Sequence, residues 1–151
     1  MKNIFNKIIF ILVAVSLCLS FFACASSYRI DAEDKNWAIV MISRKDDGEI
    51  VYCSAEFKSI YPDAEILDLG CRANDGKLVV IDRKMQMQYF GSYTEDTLES
   101  KSARYDISFN SDEGTVTGYA TVTGAKLHDG TLEYSLVMVI GKYTLYFKSI
   151  E

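Results

Sequence analysis

From residue 36 onward, glycine, aspartate or asparagine turns cut the chain every 8–12 residues, and short runs rich in β-branched and aromatic residues lie between the cuts. This rhythm is the tightest constraint on what the chain can fold into. Runs of this length suit strands better than helices, and side chains that alternate with period two put one face inward and one outward. No stretch of the region carries a convincing amphipathic helical stripe, and Pro62 is the only proline. The spacing predicts one all-β domain over residues 36–151. It should be a single antiparallel meander of about eight to nine strands, forming a small barrel or closed sandwich.

Several registers follow from the turns. Gly141-Lys142 reads as a two-residue hairpin turn, with glycine first as type II′ requires. It sets Ile140 opposite Tyr143, Met138 opposite Leu145 and Leu136 opposite Phe147. Asn74-Asp75-Gly76 is a second turn signal. Around Ser111-Asp112-Glu113-Gly114, large Tyr105, Ile107 and Phe109 face small Gly118 and Ala120, which suits a curved sheet. Folding residues 49–58 onto 65–73 about Pro62 matches Phe57 with Leu67, Ala55 with Leu69 and Cys53 with Cys71. That register predicts a Cys53–Cys71 disulfide, worth roughly 3 kcal/mol in the chain-entropy model. Two alternatives stand beside it: a pair of buried free thiols, and a short helix over residues 54–61 that would break the register.

The oxidising compartment that a disulfide needs is suggested by the first 24 residues. Lys2 and Lys7 form a positive start, an apolar run of 16 residues covers 8–23, and small residues surround Cys24. This is the anatomy of an export signal. Phe21-Phe22-Ala23-Cys24 resembles the lipobox of bacterial lipoproteins. The resemblance implies that residues 1–23 are a signal peptide and that Cys24 is lipidated, for instance with palmitate, as the new N-terminus. Residues 24–35 would then be a tether, and the protein would sit in the cell envelope, anchored to a bacterial membrane. Cleavage after Ala25, giving a soluble periplasmic or secreted protein, is the alternative. An uncleaved anchor falls short of the roughly 20 apolar residues a spanning helix needs.

Once Lys2 and Lys7 leave with the leader, 14 basic residues face 21 acidic ones, a balance of −7. That argues against nucleic acid as a partner, because nucleic acid is held mainly by Lys and Arg. Catalytic chemistry is hard to assemble. His128 is the only histidine and lies in the turn Leu127-His128-Asp129-Gly130, where neighbouring side chains point apart. No serine sits in a nucleophile motif. The paired acids at 46–47 and 112–113 precede glycine as turn residues and lack the spacing of a calcium loop. No metal site and no cofactor are expected. Met85, Met87, Tyr89, Met138 and Tyr143 are the candidate lining of an apolar ligand cavity, because soft thioethers and aromatic rings suit adaptable pockets. Equally, they would fill a solid small barrel. Trp37 should close one barrel end, an arrangement similar in architecture to lipocalin-type small barrels. Lys35 stands where that family has glycine, so no binding residue is carried over. The functional expectation is a non-catalytic envelope lipoprotein whose barrel binds a small apolar ligand or envelope component. The alternative is an acidic module that captures a basic protein in the manner of an inhibitor or adhesin.

Overall fold

The computed structural model describes residues 30–96 and 103–150. Ten strands form: β1 Asn36–Arg44, β2 Ile50–Cys53, β3 Glu65–Ile66, β4 Leu69–Asn74, β5 Lys77–Asp82, β6 Met87–Glu95, β7 Ala103–Ser111, β8 Gly114–Lys126, β9 Leu132–Ile140 and β10 Tyr143–Ile150. Two 3₁₀ turns, Ala32–Asp34 and Ala55–Phe57, are the helical elements among the described residues. β4 to β10 run as an antiparallel meander, β10 returns to pair with β1, and β1 pairs with β4. Eight strands thus close into a barrel, which removes the exposed edges an open sheet would present.

Turn chemistry sets the meander. Asp75 and Gly76 both take positive φ, +49° and +72°, and join Asn74 directly to Lys77 across a two-residue turn. Gly141 takes φ +55°, and the last hairpin pairs Ile140 with Tyr143, Met138 with Leu145 and Leu136 with Phe147, the register read from the sequence. The β7–β8 hairpin sets Ile107 against Gly118 and Tyr105 against Ala120, so large side chains do face small ones. At Gly118 an added Cβ would collide with the Val139 carbonyl oxygen, so the inner wall can bend there only without a side chain.

β2 and β3 lie outside the barrel. β1 carries two neighbours on one edge. Trp37 and Ala38 pair with Cys71 and Gly70 of β4, and beyond a bulge between Ile39 and Met41, Met41 and Ile42 pair with Cys53 and Tyr52 of β2. β3 then pairs parallel with β2. This overturns the expected hairpin of residues 49–58 with 65–73, and with it the Cys53–Cys71 disulfide. Both thiols are free and buried. Their partners on β1 are four residues apart, about 13 Å at the usual strand rise, whereas a disulfide needs Cα atoms within about 7 Å. Cys71 belongs to the barrel core and Cys53 does not. The reason is local. After Cys53 the chain turns over Ala55–Phe57, the helical alternative, and Lys58 Nζ donates to the carbonyls of Pro62 at 2.8 Å and Ala64 at 2.6 Å. That closes the excursion into a lobe on the barrel wall.

The core fills the lower part of the barrel: Trp37, Phe147, Leu136, Met138 and Val122 are all under 2% exposed. The chain seals that end with its own N-terminal turn. Trp37 Nε1 donates to the Ala32 carbonyl at 2.9 Å, and the Ala32 N–H donates to the Tyr105 hydroxyl at 3.0 Å. Tyr93 donates its hydroxyl to Glu33, whose carboxylate also accepts the Asp75 N–H at 2.8 Å. The segment expected to be a tether is therefore part of the barrel from Ile30 on: Ala32 is buried and Ile30 packs against the core. The leader 1–23, Cys24 and residues 97–102, in a polar acidic stretch that reads as a loop, lie outside the described residues.

Candidate functional site

β5 starts beside the sealed end, next to the Asp75–Glu33 contact, and ends at Asp82 in a very different setting. There the barrel opens onto a cavity of about 500 Å³. Every barrel strand from β4 to β10 contributes at least one residue near its mouth end. The walls are Leu69, Val80, Tyr89, Phe109, Val116, Ile140, Tyr143 and Leu145, with Leu67 from the β3–β4 link. The volume lies within the roughly 300–1,000 Å³ range of small-molecule sites. The barrel is thus solid below and hollow above. The change occurs where the inner positions of β6 and β8 become glycine: Gly91 stacks under the Phe109 ring, and Gly118 lies between Ile107 and Ile140.

The polar groups of the wall are few. Ser111 Oγ donates to the Gly114 carbonyl at 2.9 Å and Asn110 Oδ1 accepts from Thr115 at 2.9 Å, so both side-chain oxygens are engaged within the β7–β8 hairpin. Asp82 is 4% exposed, and its Oδ1 accepts the Met85 N–H at 2.9 Å. Among the described residues it forms no ion pair; neighbouring Arg83 is engaged by Asp68 at 2.9 Å.

The five predicted lining residues separate into three groups. Tyr89 and Tyr143 line the cavity. Met138, 1% exposed, belongs to the packed core. Met85 and Met87, 65% and 44% exposed, stand at the rim, Met85 in the β5–β6 turn and Met87 opposite Asp82 at the start of β6. The turn displaces them, because Gln86 takes φ +54° and β6 begins at Met87 rather than two residues earlier. Sequence reasoning missed Asp82. Its signal was present: Leu78, Val80 and Asp82 share the inner parity of one strand, and an acid on that parity has to be explained.

Other candidates resolve simply. Asp129 accepts both the N–H and the hydroxyl of Thr131, at 2.9 and 2.5 Å, which holds its carboxyl below the usual carboxylate range. Among the described residues no three His, Cys, Asp or Glu side chains converge as a metal site, and no helix is long and apolar enough to cross a membrane. Burial pushes the Cys71 thiol up to about 12, which leaves it protonated and a poor nucleophile. Comparisons with protein-family models, curated proteins and solved structures find no match.

Proposed function

We propose that this protein is a non-catalytic binding barrel of the cell envelope, attached by lipid at Cys24, that holds a small apolar ligand in its mouth. The observation that carries this reading is the cavity of about 500 Å³ at one end of a barrel whose other end is sealed. A small barrel selected for stability alone gains by filling its interior, since each missing apolar contact costs stability. Here the lower half is filled and the upper half is left open. Exposed Met85, Met87, Tyr89 and Val116 surround the opening, an apolar rim of the kind that marks an entry or contact site.

The test uses the exported chain carrying Cys24→Ala, purified without detergent. N-phenyl-1-naphthylamine, a neutral dye that brightens in apolar surroundings, should be taken up saturably at one site per chain. Val116→Trp, which places bulk at an exposed position of the wall, should weaken uptake about tenfold, or ~1.4 kcal/mol, without changing the far-UV dichroism. Absence of saturable uptake overturns the reading. The lipid is checked separately, by loss of fatty-acid labelling in Cys24→Ala. Capture of a basic protein by the acidic surface would instead weaken steeply with salt, which apolar uptake does not.

A further inference from the structure

We infer, on the footing that the mouth cavity is a ligand site, that its ligand is a cationic amphiphile, an apolar body carrying an ammonium-type head group that meets Asp82. A carboxylate in an apolar wall is costly unless something compensates its charge. Asp82 is 4% exposed, lines the cavity and has one backbone N–H, that of Met85, as its hydrogen-bond donor. Its cationic neighbour in the turn, Arg83, is spent on Asp68. Asn110 and Ser111, the other polar members of the wall, are uncharged, and their side-chain oxygens are engaged within their own hairpin. The charged contact still open to a ligand is therefore at Asp82.

The rest of the wall fits the same class. Tyr89, Phe109 and Tyr143 line the cavity, and aromatic rings attract ammonium groups through their quadrupole. Tyr143 already makes such a contact at the rim, where Lys142 Nζ lies 5.4 Å from its ring centroid. An anionic amphiphile would meet Asp82 unfavourably, and the excess of acids over bases in the chain adds to that repulsion. A neutral one would leave the carboxylate without a counter-charge.

Decylamine and decanoate below their micelle concentrations, and decanol below its solubility limit, are competed at neutral pH against N-phenyl-1-naphthylamine on the Cys24→Ala protein. Decylamine should displace the dye at a concentration roughly 10–100-fold lower than decanol, the worth of one charge-assisted contact, and decanoate should be the weakest. Asp82→Asn keeps an oxygen to accept the Met85 N–H, and it should bring decylamine to the level of decanol measured on the same variant. The wild-type comparison needs no variant, and its amine preference should shrink with added salt. Equal displacement by decylamine and decanol in the wild type, or a preference that survives in Asp82→Asn, overturns the cationic head group and leaves the apolar cavity standing. Failure of every compound including the dye overturns the cavity as a site.

Discussion

Replacing Trp37 by Phe and Tyr105 by Phe, singly and together, tests whether the N-terminal turn is a structural part of the barrel. The two side chains hold the two backbone groups of one buried residue: Trp37 Nε1 donates to the Ala32 carbonyl at 2.9 Å, and the Tyr105 hydroxyl accepts the Ala32 N–H at 3.0 Å. Each substitution strands one buried backbone group, at about 1–3 kcal/mol. Trp37→Phe also opens a void in the core, so it should be the more costly. Once either bond is gone the turn is freer to lift away, and the double variant should lose less than the sum of the singles, with a coupling on the order of 1 kcal/mol. Urea unfolding followed by far-UV dichroism measures all four proteins, including those without the single tryptophan. Tyr105 adds a pH signature. Burial, with Asp31 and Glu95 nearby, pushes its hydroxyl up to about 12. The unfolded chain releases that proton near 10, so the folded state binds more protons in between. Its contribution is fully present below pH ~10 and is lost between ~10 and ~12, a loss that Tyr105→Phe should lack. Single variants within about 0.5 kcal/mol of wild type, or strictly additive effects, would refute the clamp.

Three further outcomes are expected. Cys53 and Cys71 should both resist a thiol reagent in the native protein and both react after denaturation, and a mass spectrum without reductant should show no loss of two hydrogens; native-state protection without a disulfide is the distinguishing result. Gly118→Ala should destabilise by at least about 1–3 kcal/mol because the new methyl group meets backbone rather than a movable side chain, as read by the urea midpoint. Met138→Ala should cost about 2–5 kcal/mol while Met85→Ala stays within about 0.5 kcal/mol, a contrast between two residues that look equivalent in sequence.

Legibility in the sequence followed the range of the forces involved. The hairpins at Asn74–Lys77, Ser111–Gly114 and Ile140–Tyr143 were readable because each register is fixed by a few residues whose backbone preferences are local. The Cys53–Cys71 pairing failed because the alternation was equally satisfied by a competing arrangement. Val51, Cys53, Leu69 and Cys71 keep their parity whether β2 pairs with β4 or both pair with β1, and local patterning cannot choose between them. A 3₁₀ turn of three residues made the choice. The methionines failed differently: alternation ran smoothly through Met85, but Gln86 in a left-handed conformation broke it two residues into the run. The closure of β10 on β1 spans nearly the whole domain, and nothing short-range announces it.

The two barrel ends also give the proposal a direction. Asn36 begins β1 at the sealed end, beside Tyr93, Tyr105 and the β4–β5 turn, and Ile30 packs there against the core. The cavity lies at the other end, bounded by the β5–β6, β7–β8 and β9–β10 turns. A chain attached through Cys24 would therefore be held by its filled end, with a few residues between the lipid and the clamp at Ala32. The barrel strands, six to thirteen residues long, run about 20–43 Å between the ends at the usual rise, so the mouth of a protein held in this way would lie away from the bilayer. Such a barrel would meet its ligand in the aqueous space of the envelope, and water is where an amphiphile gains most by entering an apolar cavity. The filled base and the hollow mouth would then be two parts of one arrangement, the first fixing the anchor and the second leaving the binding face free.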